Sequence, residues 1–204
     1  MVMKNRKKIL IISLTLLASF TCAAGTVTKG MKKVIDDALD FSVKQSMSMF
    51  YEMKDQKGIL PRTAENGKMI TCESAWWTSG FYPGTLWYCY EYSNDPQIRA
   101  AAEEMTSRVE KQKYTTSNHD VGFIINCSFG NGYRLTHNET YRKVIETAAK
   151  SLSTRFHPVT GCTRSWNSKK WQFSVIIDNM MNLELLNVAS SLTGDNTYYN
   201  MAKS

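Results

Sequence analysis

The sequence predicts an all-α fold built from paired helices. Three observations carry the prediction. Apolar residues recur at helical spacing along most of the chain after Met31. Half-polar stretches alternate with stretches that are apolar on nearly every side. The junctions between them also repeat. Ser93-Asn94-Asp95-Pro96-Gln97-Ile98, Thr136-His137-Asn138-Glu139-Thr140-Tyr141 and Thr193-Gly194-Asp195-Asn196-Thr197-Tyr198 each read as a helix stop, a one-residue cap and an anchor three residues later. The anchors Ile98, Tyr141 and Tyr198 are 43 and 57 residues apart, the longer interval holding a loop at 158–173. Self-similarity at this period marks an array of helical hairpins, either an α-solenoid or a closed α/α toroid.

The elements follow in order. Residues 32–54 carry an approximate one-sided stripe of Val34, Ala38, Phe41, Met47 and Phe50. Residues 54–73 read as a loop, broken by Gly58, Pro61, Asn66 and Gly67. Residues 78–92 form a short aromatic helix. Residues 95–113 are amphipathic, with Asp95 as cap, Pro96 in the first turn, and Ile98, Ala102, Met105 and Val109 on one face. Residues 120–135 are mostly apolar. Residues 138–156 are amphipathic, with Tyr141, Ile145, Ala148 and Leu152 aligned. Residues 175–192 predict a helix apolar almost all round, and so one buried among other elements. Gly194 ends it, and Asp195 starts another.

With 204 residues, 43% hydrophobic and 21% charged, the chain is globular and makes one domain or part of a larger one. Lys4, Arg6, Lys7 and Lys8 precede an apolar run at 9–20 and the small residues Cys22, Ala23, Ala24 and Gly25. Residues 1–24 therefore read as a secretory signal peptide, and 25–204 as the exported chain, expected in the periplasm. The run is too short for a comfortable membrane span, so no stable membrane insertion is expected after cleavage. A lipid on Cys22 is the alternative, although Ser19-Phe20-Thr21 is a poor match to the small residues such a site needs. Losing the four leader cations lowers the net charge from +7 to +3. No basic stripe remains to bind nucleic acid. Cys72, Cys89, Cys127 and Cys162 match no common zinc spacing, and Cys89 and Cys127 read as small buried hydrophobes.

The repeat points to chemistry. The apolar helices open at Thr78-Ser79-Gly80-Phe81, Asp120-Val121-Gly122-Phe123 and Asp178-Asn179-Met180-Met181, so Thr78, Asp120 and Asp178 hold matching positions. Asp178 either supports its helix start or faces a cavity. In a closed toroid the inner-helix starts ring one mouth, and Asp120 and Asp178 would share it. Paired carboxylates there suit glycoside chemistry, and close like charges raise one pKa. Trp76, Trp77 and Tyr82 flank the first start, and Trp166 and Trp171 the third, where aromatic faces suit a sugar ring. Trp87 and Phe123 read as core. His119 either orients Asp120 or makes a local hydrogen bond, and Arg164 either meets a substrate carboxylate or lies on the surface.

These residues resemble a known family. Trp77-Thr78-Ser79-Gly80-Phe81-Tyr82-Pro83-Gly84, continuing Leu86-Trp87-Tyr88-Cys89-Tyr90-Glu91-Tyr92, is similar to the first motif of the unsaturated glucuronyl hydrolases, glycoside hydrolase family 88. His119-Asp120-Val121-Gly122-Phe123 resembles the second. Arg164-Ser165-Trp166 with Ile176-Ile177-Asp178-Asn179-Met180-Met181-Asn182-Leu183 resembles the third. The resemblance runs from about residue 31 to the end of the chain.

It implies an (α/α)6 toroid of which this chain holds about half, so that 25–204 reads as the N-terminal half of a truncated catalytic domain. It implies a substrate, the 4,5-unsaturated uronic acid that polysaccharide lyases leave at the non-reducing end of glycosaminoglycan-type oligosaccharides. The double bond would be hydrated, with a proton added at C4 and water at C5. Asp178 would be the general acid/base and Asp120 the second carboxylate. Trp77 and Trp166 would line the uronate subsite, with His119 beside them. No metal or organic cofactor is implied. A hydrolase of unsaturated rhamnogalacturonyl fragments and a non-catalytic carbohydrate-binding repeat are the competing expectations.

Overall fold

A computed structural model describes residues 27–204. The expected leader, and Cys22 with it, lie outside the described residues. Among the described residues the chain divides into two units between Ala38 and Leu39. Helix α1 (Lys29–Met53) runs from the first into the second. In the first unit its turns carry the exposed pairs Lys32–Asp36 at 2.6 Å and Lys33–Asp37 at 2.7 Å, spaced to give an exposed helix modest support.

In the second unit, β1 (Ile59–Glu65) and β2 (Lys68–Glu73) precede α2 (Phe81–Ser93) and α3 (Pro96–Ser107). A 3-10 turn (Glu110–Tyr114) leads to α4 (Val121–Ile125), which continues through a π-helical turn (Asn126–Gly130) into α5 (Asn131–Thr136). Then come α6 (Glu139–Ser153), the two-residue strands β3 (Phe156–His157) and β4 (Cys162–Thr163), α7 (Asn179–Asn182), α8 (Glu184–Thr193) and α9 (Asn196–Lys203). The apolar helices α2, α4–α5 and α7–α8 alternate with the half-polar α3, α6 and α9. The core lies between the two sets. Leu86 and Trp87 meet Ala101, Ala102 and Met105. Ile124, Ile125 and Phe129 meet Val144, Ile145, Ala148 and Leu152, with Leu185, Leu186 and Ala189. Burial of such side chains is the main favourable contribution to folding.

The repeated junctions form as predicted. Asn94, His137 and Gly194 take left-handed backbone at φ 55°, 53° and 75°. Asp95, Asn138 and Asp195 then cap the next helix, each accepting the amide N–H of Gln97, Thr140 or Thr197 at 2.8 Å. The hydroxyls of Ser93, Thr136 and Thr193 accept the cap residue's own N–H at 3.2, 3.3 and 3.1 Å. Each cap contributes about 1 kcal/mol.

A second repeat brings the inner helices together. A Cβ on Gly80 would lie 2.7 Å from the Ile124 Cα, and one on Gly122 would lie 2.6 Å from the Asn182 Cα. Each glycine thus meets the next inner helix two residues beyond its own repeat position. Only hydrogen on Cα permits backbones to approach so closely.

The structure corrects several expectations. Residues 54–73 are not a plain loop. Asn66 and Gly67, at φ 51° and 73°, make a two-residue hairpin turn that pairs Glu65 with Lys68. The register skips between Pro61 and Thr63, leaving Arg62 as a bulge that stacks on Trp76 at 4.0 Å. The helix expected over 175–192 begins only at Asn179. Val175 and Ile176 lie outside any helix or strand, Ile177 sits in the turn that leads into the helix, and the Ile176 N–H donates to the Ser165 hydroxyl at 3.1 Å. That segment is not buried all round either: Ile177 is 86% and Met180 66% exposed, because no described element covers that face. Tyr82, in the first turn of α2, is buried and donates to the Ser46 carbonyl at 2.7 Å. Trp87 and Phe123 are core, as expected. Cys72, Cys89, Cys127 and Cys162 are free thiols; Cys89 is buried and Cys127 partly so, and burial pushes the Cys127 thiol up to about 11. Among the described residues no helix is long and apolar enough to cross a membrane.

The glycine contact is directly testable. Gly122→Ala is expected to destabilise the protein by about 1–3 kcal/mol in urea or thermal unfolding, and an unchanged midpoint would contradict the close approach.

Candidate active site

The side chains of Asp120 and Asp178 stand at the starts of α4 and α7, and neither caps its helix. Asp95, Asn138 and Asp195 do cap theirs. No cap bond engages the Asp120 or Asp178 side chain, so both inner carboxylates are left for other partners. The Gly122–Asn182 contact sets their spacing. Across it the Phe123 N–H donates to the Asn182 side-chain oxygen at 2.8 Å, while the Asn182 amide donates to the Asp178 carbonyl at 3.3 Å. The same asparagine thus ties the two helix starts to each other.

His119 lies between the two acids and is almost fully buried, at 2% exposure. Its Nε2 is 3.6 Å from Asp120 Oδ1 and 3.5 Å from Asp178 Oδ2. Its Nδ1 is 2.9 Å from Asn179 Oδ1. The Asn179 amide nitrogen donates to the Thr163 carbonyl. The other oxygen of Asp178, Oδ1, is buried without a hydrogen-bond partner among the described residues, and so is the Thr78 hydroxyl at the matching position of the first repeat. Orphaned buried oxygens of this kind are costly.

The chain segments around the imidazole are pinned to one another. The His119 N–H donates to the Ser165 carbonyl at 2.8 Å, the Ser165 N–H to the Ser174 carbonyl at 2.7 Å, and Asn118 pairs with Trp166 as an antiparallel bridge. Arg155 spans two of these segments from the end of α6, donating through Nε to the Arg164 carbonyl at 2.7 Å and through Nη1 to the Thr116 carbonyl. Trp166 stands edge-on to His119, with ring centroids 6.4 Å apart, and is 39% exposed. Trp77 is 44% exposed and packs against Phe81 and Phe123. Arg164 donates to the Trp166 carbonyl and lies over Phe173.

Burial pushes the Asp120 carboxyl above the ordinary carboxylate range. His119 acts against that shift, Asp178 adds to it by like-charge repulsion, and Arg155 opposes it. The ligand atoms of His119, Asp120 and Asp178 lie within 4.8 Å of one another, a set that can hold a proton or a divalent cation. A cavity of about 640 Å³ lies elsewhere, lined by Ser46, Met49, Arg62, Met69, Phe81 and Tyr82, and includes neither acid.

The structure thus brings Asp120, Asp178, His119 and Trp166 together as expected and keeps Trp77 half-exposed on the aromatic cluster beside α4. Asn179, Asn182, Ser165 and Arg155 were not foreseen as site residues. The signal for the asparagines was two amides inside an apolar run, at Asn179 and Asn182.

No protein-family profile matches the chain. Curated relatives do. An unsaturated glucuronyl hydrolase of Formosa agariphila is 46% identical over 129 residues, covering 62% of this chain and 32% of the relative. An unsaturated chondroitin disaccharide hydrolase of Streptococcus pyogenes serotype M1 is 34% identical over 175 residues, covering 82% of this chain and 43% of the relative. Among solved structures, an unsaturated glucuronyl hydrolase specific for heparin is similar at 38% identity with a TM-score of 0.75, covering 82% of this chain and 46% of that one. The fold is that of these (α/α)6 toroids. The chain spans less than half the length of the relatives it matches.

The raised Asp120 carboxyl has a consequence for stability. The folded state holds this proton more tightly than the unfolded state, so stability falls as pH rises through the interval between the ordinary carboxyl value and the raised one. Asp120→Asn removes the charge. It is expected to raise the melting temperature at neutral pH, and the gain should shrink as pH falls through that interval and be lost below the ordinary carboxyl value. A gain that grows on acidification would contradict the shift.

Proposed function

We propose, for a chain that belongs to the unsaturated glucuronyl hydrolase family, that His119, Asp120 and Asp178 are the acid/base groups of a site hydrating 4,5-unsaturated uronic acids. One observation carries the reading: two carboxylates from successive inner helices converge on a single buried imidazole nitrogen. Their oxygens come within 4.8 Å. Inverting glycosidases hold their carboxyls about 6.5–9.5 Å apart to admit a water across the ring, so this pair is too close for that arrangement. It suits proton transfer to one face of a double bond.

In the proposed reaction Asp178 gives a proton to C4 and takes one from the water that adds at C5, so it ends as it began. The resulting hemiketal opens and releases the remaining sugar. Asp120 holds the hydroxyls of the uronyl ring and stabilises the developing positive charge. Trp77 and Trp166 line the ring. Burial raises the proton affinity of Asp120, and His119 Nε2 lies 3.6 Å from Asp120 Oδ1 and 3.5 Å from Asp178 Oδ2. The substrate class is a lyase-generated glycosaminoglycan-type oligosaccharide, supported by relatives named for chondroitin disaccharide and heparin. The proton reading of the trio is preferred over a cation, and no cofactor is invoked. The leader, residues 1–24, is read as exporting the protein to where such fragments arise.

The test follows the ultraviolet absorbance of the double bond. Unsaturated glycosaminoglycan disaccharides are expected to lose absorbance with the wild-type protein, with turnover unaffected by a metal chelator. Asp178→Asn is expected to abolish turnover while leaving the melting temperature nearly unchanged. Turnover of only a pectin-derived unsaturated disaccharide, or full activity in Asp178→Asn, would overturn the reading.

A further inference from the structure

The hydrogen bonds around His119 determine which ring nitrogen carries its proton. The Thr163 carbonyl can only accept, so Asn179 must turn its NH2 toward it. That leaves the Asn179 oxygen, an acceptor, facing His119 Nδ1 at 2.9 Å. An acceptor there requires Nδ1 to be the protonated nitrogen. Nε2, the atom nearest both carboxylates, is then free of a proton in the neutral ring. A bare lone pair facing two ionised carboxylates is repelled by both. The arrangement is favourable when one proton lies among Nε2, Asp120 and Asp178, and the single nitrogen within reach of both acids is where that proton can cross.

We infer that Asn179 is a positioning residue that holds His119 as its Nδ1–H tautomer, so that Nε2 passes a proton between Asp120 and Asp178. The catalytic half of this statement rests on the proposed function; the tautomer does not. Asn179 is well placed for the task. It is buried at the start of α7, beside Asp178 in sequence, and its amide reaches to β4 at Thr163. One side chain therefore links the helix that carries one acid to the imidazole that follows Asn118 and precedes the other.

The experiment is 15N spectroscopy of the imidazole rings in the protein without substrate, at a pH where ordinary imidazoles are neutral. The chain has three histidines, His119, His137 and His157, so the resonances are readily assigned. In the wild type, Nδ1 of His119 is expected to carry a proton. In Asn179→Ala that preference should be lost and Nε2–H should appear. Asn179→Asp keeps an acceptor opposite Nδ1 and should restore Nδ1–H. Turnover should fall about a hundredfold in Asn179→Ala and recover in part in Asn179→Asp. A wild-type ring protonated only at Nε2 overturns the inference without any variant, so a variant that fails to fold does not shield it. An unchanged nitrogen pattern in folded Asn179→Ala also overturns it. If the wild type shows Nδ1–H but turns over no unsaturated uronate, the functional reading fails while the tautomer assignment stands.

Discussion

The place where Gly122 meets the Asn182 backbone leaves no room for even a methyl group, and the geometry of the site depends on that contact. It brings the start of α4 against the start of α7, and each start carries an aspartate. Asn182 then ties the two ends with its side-chain oxygen on Phe123 and its amide on Asp178. The same contact one repeat earlier, Gly80 on Ile124, carries Thr78 in place of an acid. The fold thus presents equivalent positions, and the chemistry resides in what occupies two of them.

The polar residues at the helix starts divide into two kinds by what their side chains bond. Asp95, Asn138 and Asp195 sit at the outer helices with extended backbone and spend their oxygens on helix amides. Asp120 and Asp178 sit at the inner helices with helical backbone and bond no helix amide. The helix dipole still favours negative charge at both kinds of start. What sets the inner pair apart is burial beside one imidazole, which raises the proton affinity of Asp120 and leaves one oxygen of Asp178 without a partner among the described residues.

The part of this that was legible in the sequence is the part written locally. Caps, left-handed stops and anchors lie within six residues of one another, and all three junctions formed as read. The hairpin at 59–73 is not legible from its breakers alone, because Gly58, Pro61, Asn66 and Gly67 all read as loop residues and the pairing of Leu60 with Cys72 is set by the ladder. The helix in the 175–192 segment starts later than its apolar pattern implies, and Ile176 instead bonds to Ser165, a partner no local pattern announces. Its exposed apolar face shows the same limit: periodicity says that a side chain is apolar, not what covers it. Asp120 and Asp178 are legible through the repeat, and His119 through its place beside Asp120. Asn179 is not, since its role depends on His119 sixty residues earlier and on a backbone carbonyl at Thr163.

The central claim is that the two carboxylates share one electrostatic environment. Carbon-13 titration of the Asp120 carboxyl, in the wild type and in Asp178→Asn, tests it most directly. Repulsion from Asp178 adds to the burial that holds Asp120 above the ordinary range, so removing that charge is predicted to move the Asp120 midpoint down. A midpoint that does not move would mean that the acids do not sense each other, and the account of a shared proton would fall.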